Sequence, residues 1–308
     1  VKVRPSRAGW DLASEVDRKL AFSVVVPCFN EEGAIRATIH SLRDALAGEV
    51  NYELILIDDG STDGTSAVMQ DVAAEDGNVT VVRHESNRGY GAALKTGIRH
   101  ASSDWIVITD ADGTYPNEKL PELLALAGKY DMVVGSRTGD QVTYPLLRRI
   151  PKIFLRAYAC WISGTNIPDL NSGMRVFRRD LAEQFLGILP DGFSFTTTIT
   201  LALLTNRHRV CYHPINYAPR IGRSKIQPIR DTLRFLQLIV RTGMYFAPLR
   251  VFSPFILLLG AGGITSAAYD IFVLDNLTDK TILLFLFAMN TAFFALVADM
   301  IDKRSGGG

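Results

Sequence analysis

Short apolar runs alternate with stretches of helical spacing through the first half of this chain. Ala21–Val26, Tyr52–Ile57, Val79–Arg83, Trp105–Thr109 and Met132–Gly135 are rich in β-branched and aromatic residues and read as strands. Between them, Glu32–Leu46, Thr65–Ala74, Gly89–His100 and Asn117–Leu126 carry apolar residues at helical spacing. This alternation predicts an α/β fold with a mostly parallel sheet covered by helices. In such sheets ligands bind beyond the carboxyl ends of the strands. The polar motifs of this chain fall there.

The pattern changes in the last quarter. Val251–Val273 and Thr281–Ala298 are long enough, or nearly so, to cross a ~30 Å hydrocarbon layer. Gly260, Gly262 and Gly263 in the first permit close helix contact and allow a homo-oligomer. The connector Leu274–Lys280 carries Asp275 and Asp279, while Arg241 and Arg250 precede the pair and Lys303 and Arg304 follow it. The positive-inside rule puts both ends in the cytoplasm. A pair of buried core helices is the alternative, and the charge asymmetry favours a two-helix transmembrane hairpin. Asp270 lies near the outer end, where a carboxylate can reach the interface. Asn276-Leu277-Thr278 matches a glycosylation sequon but sits too close to the membrane to carry weight.

Two basic amphipathic segments precede the hairpin. Leu146–Ile162 places Leu146, Leu147, Ile150, Phe154, Tyr158 and Trp161 at helical spacing, with Arg148, Arg149, Lys152 and Arg156 between them. Pro151 is expected to break or kink it. Ile229–Phe246 repeats the theme. Both are expected to lie in the headgroup layer; packing on the soluble domain is the alternative. The expected organisation is a polar segment at 1–20, a catalytic domain at 21–227 with its basic helix at 146–162, an interfacial helix at 228–247 and a hairpin at 251–300, spanning at 251–273 and 281–298.

Composition narrows the function classes. The chain has 308 residues, is 47% hydrophobic and carries a formal charge of +1, so no global basic field points to nucleic acid. Cys28, Cys160 and Cys211 are far apart, which argues against structural zinc and against a disulfide framework. The N-terminus lacks the apolar core of a signal peptide.

Four motifs carry the chemistry. Val24–Glu32 reads VVVPCFNEE, a strand end followed by acidic residues that suit a helix N-terminus. Ile57–Thr65 reads IDDGSTDGT, a second strand end with paired carboxylates. Asn87–Ile98 reads NRGYGAALKTGI, a Gly-rich lead into a helix that can receive a phosphate. Thr109–Pro116 reads TDADGTYP after the fourth strand. Asp110 and Asp112 emerge at the strand's end, where residues two apart point to one side. Two hard oxygen ligands can hold Mg²⁺ or Mn²⁺ with open positions for a substrate's phosphates. An ordinary polar turn is the simpler reading of that stretch by itself.

In order and spacing, these motifs resemble the family-2 glycosyltransferases with the GT-A (Rossmann-like) fold, over about residues 21–227. Gly135-Ser136-Arg137, Asp169–Arg178 (DLNSGMRVFR) and Arg220–Lys225 (RIGRSK) are similar to the polyprenyl-phosphate branch, whose best-known member is dolichol-phosphate mannose synthase. The resemblance implies inverting transfer of a hexose from a nucleotide-diphosphate sugar, UDP- or GDP-linked, to undecaprenyl or dolichyl phosphate. It implies that the transfer takes place at the cytosolic face of a bacterial or archaeal inner membrane, or of the endoplasmic reticulum. It implies that Pro27, Phe29, Glu31, Asp58, Asp59, Asp110 and Ala111 border the nucleotide. Asp110 and Asp112 would hold the divalent metal. Thr114 stands where the mannose synthases have a Gln metal ligand, so Thr114 or a water in its place would be the third ligand. Arg137, Ser172, Arg220 and Lys225 would face phosphates, helped by Arg148 or Arg149. Asp110, Asp112, Arg137, Arg220 and Lys225 form the expected catalytic set. Asp191 lies near where relatives with hydroxyl acceptors keep a base and reads here as structural or sugar-contacting. Two other readings stand beside this one: a family-2 enzyme acting on a glycolipid or polysaccharide, and a silent nucleotide-sugar-binding subunit. No QxxRW motif of a processive synthase is present.

Overall fold

A computed structural model describes residues 20–48, 51–138, 156–218, 237 and 240–305, the last four of these as backbone only. The strands are β1 (Phe22–Cys28), β2 (Tyr52–Asp58), β3 (Val79–Arg83), β4 (Trp105–Ile108), β5 (Met132–Ser136), β6 (Arg175–Arg178) and β7 (Val210–Pro214). They form one seven-stranded sheet in the order β3-β2-β1-β4-β6-β5-β7. All pairings are parallel except those of β6, which runs antiparallel to β4 and β5.

The helices of this domain are α1 (Ile35–Leu46), α2 (Thr65–Glu75), α3 (Tyr90–His100), α4 (Leu120–Leu124, after a 3₁₀ turn at Asn117–Lys119), α5 (residues 156–163), α6 (Arg179–Phe185) and α7 (Phe195–Thr205). Two apolar layers cover the sheet. Alternation along β1 sends Val24 and Val26 to one layer with α1, and Val25 to the other with α3 and α7. Every residue of β1 is buried, as expected of a central strand sandwiched between helices.

This topology creates the site. β1 pairs with β2 as far as Cys28↔Asp58, but with β4 only as far as Val25↔Ile108. Beyond that point the β1–β4 ladder ends, and the chain leaves β1 toward β2 on one side and lies beside β4 on the other, with the following helices α1 and α4 in the same apolar layer. This is the switch-point crevice where open α/β sheets bind ligands. Pro27 sits past the last β4 pairing, where a missing N–H costs no ladder bond on that side.

A third apolar cluster joins Ala159 and Ile162 of α5 to Leu201 and Leu204 of α7 and to Val251. The described part of the second amphipathic segment is a helix at residues 240–246 (α8). Its Gly243 faces Ile162 and Val251, and Phe246 packs edge-on against Phe185 at 5.7 Å. This part is docked on the protein, as in the packing alternative, although Met244 and Tyr245 remain exposed. Most of Leu146–Ile162, including Pro151, lies outside the described residues.

The C-terminal pair forms a hairpin of α9 (Pro248–Tyr269), a π-helical turn (Asp270–Leu274) and α10 (Asp279–Ser305). Both helices are long and apolar enough to cross a membrane, and only 11% and 17% of their most apolar stretches are buried. That exposure removes the reading as core helices. Asp270 does not reach outward as expected. It is fully buried and accepts hydrogen bonds from Thr278 N (2.8 Å) and Thr278 Oγ1 (2.6 Å), with Thr281 Oγ1 at 2.7 Å, so it ties the turn to the start of α10. Inside an apolar layer, bonding to neighbouring hydroxyls is cheaper for a carboxylate than leaving it unpaired.

Candidate active site

The loop after β4 is fastened at several points. Thr109 Oγ1 donates to Asn117 Oδ1 (3.1 Å) and closes it at its base. Thr38 of α1 donates to the Ala111 carbonyl (2.9 Å), and Gly113 takes a positive φ of 69° that completes the turn. Within it, Asp112 Oδ1 accepts from Thr114 N (3.2 Å) and Thr114 Oγ1 (2.6 Å), an Asx turn. Strand β4 stops at Ile108, so strand alternation does not orient Asp110 and Asp112. The turn does. Thr114 is buried and bonded to Asp112, which makes it a support for that carboxylate.

Asp110 is positioned from two other elements. Tyr90, at the start of α3, donates its hydroxyl to Asp110 Oδ1 (2.9 Å). Burial, and then the Asp110 carboxylate, raise the Tyr90 phenol well above its ordinary value, so it stays a donor. On the other side the Gly173 backbone presses in. A Cβ there would stand 2.8 Å from Asp110 Oδ1, so any larger residue would push this carboxylate aside. Among the described residues no group of three or more His, Cys, Asp or Glu side chains converges on a metal position. Two carboxylates on one tight turn are the hard-oxygen donor set that Mg²⁺ or Mn²⁺ accepts with phosphates and water completing its shell.

The nucleotide candidates gather beside this turn. Asp59 N donates to the Cys28 carbonyl (2.8 Å), and Asn30 N, Glu31 N and Glu32 reach Ser61, Thr65 and Gly64 across the two loops. Phe29 and Glu31 are half-buried on this rim, and Pro27 and Ala111 are buried behind it. The Cys28 thiol is pushed well up by burial, then by the carboxylates of Asp58, Glu31 and Asp110, so these acids converge on the end of β1.

Asp58 and Asp59 are fully or nearly buried. Asp58 Oδ1 accepts from Ser61 N (2.8 Å). Its Oδ2 lies 3.3 Å from Arg83 Nε, close enough for an ion pair yet without hydrogen-bond geometry. Asp59 accepts from the backbone N–H groups of Arg88 (2.9 Å) and Gly89 (2.8 Å), and His84 Nδ1 lies 2.7 Å away. Asp59 thus anchors the Gly-rich loop.

The DLNSG segment forms the other wall. Asp169 takes both Arg137 Nε (2.8 Å) and Nη2 (2.9 Å), and the Arg137 guanidinium lies over the Tyr217 ring at 5.2 Å. Burial pushes the Asp169 carboxyl up, but the hydrogen bonds and charge of Arg137 outweigh it and hold it below the usual range. Ser172 is fully buried and donates to the Gly135 carbonyl, so it is not accessible to a phosphate as expected. Sequence reasoning missed Arg175 in this same motif. Its buried guanidinium donates to Ser172 O (3.1 Å), Thr196 O (3.0 Å) and Thr200 Oγ1 (3.0 Å), so it pins the segment that carries Gly173. Asp191 binds Lys95 Nζ at 2.8 Å on the surface of α3. Arg148, Arg149, Arg220 and Lys225 lie outside the described residues. The chain approaching Arg220 is docked on the carboxylate turn, for Ala218 N donates to Thr114 O at 3.0 Å.

Residues 23–186 match the model of glycosyl transferase family 2, more than half of the chain. The chain belongs to that family. Residues 247–303 of this glycosyltransferase match the GtrB C-terminal hairpin. It is 31% identical over 211 residues to the undecaprenyl-phosphate mannosyltransferase of Micrococcus luteus, covering 66% of this chain and 86% of that one. It is 30% identical over 235 residues to the low-salt glycan biosynthesis hexosyltransferase Agl6 of Haloferax volcanii, covering 74% of this chain but only 55% of that longer protein. Its fold is similar to that of glucosyl-3-phosphoglycerate synthase of Mycobacterium tuberculosis in complex with uridine diphosphate. The TM-score is 0.57 at 20% identity, over 74% of this chain and 82% of that one. That synthase is also known in complexes with Mn²⁺ or Mg²⁺.

Proposed function

We propose that this enzyme transfers a hexose from a nucleotide-diphosphate sugar to a polyprenyl phosphate at the cytosolic membrane face, with inversion. The observation that carries this reading is the union of a family-2 carboxylate turn with an exposed apolar hairpin on one chain. The donor is soluble, whereas the acceptor headgroup stays at the bilayer surface. A hairpin anchored to the catalytic domain at Val251 raises the local acceptor concentration. The basic residues flanking the hairpin support a cytosolic catalytic domain. The open surface at Gly260 and Gly262 leaves room for a second copy.

A bound Mg²⁺ or Mn²⁺ would supply Lewis-acid stabilisation of the departing nucleoside diphosphate. Asp110 and Asp112 would hold it. Thr114 and Tyr90 fix where those carboxylates point, through the hydrogen bonds described. An acceptor phosphate is already anionic near neutral pH, so it needs no strong general base. Its oxygen forms the new bond to the anomeric carbon as the bond to the diphosphate oxygen breaks. The transfer does not call on Asp191 as a base, and its carboxylate pairs with Lys95 at 2.8 Å.

Cations must position that anion, and bidentate Arg suits a phosphate. Arg137 already spends two donors on Asp169, so it supports the site electrostatically. Arg220 and Lys225 are the direct phosphate contacts in this reading. Arg220→Ala is expected to raise the KM for lipid phosphate by about tenfold or more, with a much smaller change for the donor. A steady-state assay varying each substrate in turn checks it. An unchanged acceptor KM contradicts the assignment.

A further inference from the structure

Phe193 is 79% exposed. Among the described residues before α8, the other exposed large apolar side chains are Leu20 and Trp161, at 36% and 40%. Leu20 precedes β1, at the opposite end of the sheet from the site, and Trp161 lies on α5 beside the hairpin junction. Phe193 is the one at the carboxyl-end rim. It stacks on Tyr90, with ring centroids 5.5 Å apart and planes 15° apart. Tyr90 is the residue whose hydroxyl holds Asp110.

The turn that carries Phe193 is built and tied down. Ala92 N donates to the Asp191 carbonyl (3.0 Å), Lys95 Nζ to the Asp191 carboxylate (2.8 Å), and Phe195 N to the Gly192 carbonyl (3.3 Å). Gly91 lies so close beneath it that a Cβ would stand 2.1 Å from the Pro190 carbonyl oxygen. The aromatic pair is therefore preorganised on α3, and one element holds both the ring and the Tyr90 support of the carboxylate turn.

We propose that Phe193 is an acceptor-binding residue that packs against the first isoprene units of the lipid phosphate. The inference rests on the transfer reading above. In that reaction the order outward from the carboxylates is diphosphate, hexose, acceptor phosphate, isoprene. Phe193 stands one ring-stack outside Tyr90, and Tyr90 touches Asp110, so the platform lies beyond the space next to the carboxylates that the donor needs. A hexose is bound through hydroxyls and is already anchored by its diphosphate. The isoprene next to the acceptor phosphate has no polar group and must leave the hydrocarbon layer to react. Apolar protein surface at the rim is what makes that transfer favourable.

The test uses the full chain in detergent with farnesyl phosphate and methyl phosphate as acceptors, comparing wild type, Phe193→Ala and Phe193→Leu. Phe193→Ala is expected to raise the KM for farnesyl phosphate about tenfold or more and to erase most of the preference over methyl phosphate. The donor KM should move by less than about twofold, and Phe193→Leu should restore most of the preference. An unchanged farnesyl phosphate KM overturns the proposal, and so does a change confined to the donor KM, which would make the ring a sugar platform. If wild type transfers to neither acceptor, the transfer reading fails. Calorimetric binding of farnesyl phosphate to wild type and Phe193→Ala then reads the platform alone, and equal or absent binding overturns it.

Discussion

At the scale of single residues, the account turns on how the carboxylates are held. Asp112→Asn keeps an oxygen that can accept both Thr114 bonds but removes the charge. Turnover at saturating metal is expected to fall by about a hundredfold or more with an unchanged melting profile. Asp169 gives a second, pH-resolved outcome. Its folded carboxyl lies below the ordinary value, so its contribution is complete above the unfolded value of about 3.9 and disappears as pH falls through the folded one. Melting of wild type and Asp169→Asn across pH 3–8 should show a constant gap above about pH 5 that closes at the acid end. The paired acids were legible in the sequence because three further polar motifs at strand ends and a helix entry accompany them in order, whereas Asp-x-Asp alone reads as an ordinary turn. Arg175 was not, for nothing local to MRVF marks an arginine as fully buried. Ser172 misled for the same reason, since a small hydroxyl reads alike in a cleft and under a backbone carbonyl.

At the scale of elements, five strands were read to within two residues, because burial on both faces of β1, β4 and β5 leaves a continuous apolar run and β2 and β3 are rich in β-branched residues. β6 and β7 were not read. RVFR carries charge at both ends and VCYHP is short and only partly buried, so neither shows a period. α7 escaped for the opposite reason: FTTTITLALLT is buried on nearly every side, and a helix buried all round has no apolar stripe. The DLNSG segment before β6 governs the carboxylate turn through Gly173. Gly173→Ala would put a methyl group 2.8 Å from Asp110 Oδ1. It is expected to lower turnover by about tenfold or more while the protein still folds, since the clash falls on a rim side chain. Turnover and circular dichroism on the same preparation separate the two effects.

At the scale of the whole molecule, the hairpin and the catalytic domain are one construction. Val251 belongs to the cluster of α5 and α7, and Arg250 donates to the Ile162 carbonyl. Hydropathy located the hairpin, but not its lock. Asp270 looked like a tolerated outlier, and it instead fastens the turn through Thr278 and Thr281. Asp270→Ala removes the acceptor of the half-buried Thr278 N–H and hydroxyl and leaves the buried Thr281 hydroxyl with Ser266 alone, at a cost of about 1 kcal/mol or more. Faster proteolysis at residues 275–279 in detergent, with the catalytic domain intact, is the expected sign. The central claim concerns the acceptor, and one measurement reaches it directly. Purified protein in nanodiscs is given Mg²⁺ or Mn²⁺, undecaprenyl or dolichyl phosphate and a panel of labelled UDP- and GDP-sugars, and label is counted in the organic phase. The account predicts metal-dependent, acid-labile labelled lipid from one donor, abolished in Asp112→Asn. No labelled lipid from any donor, with nucleotide binding intact, would contradict it.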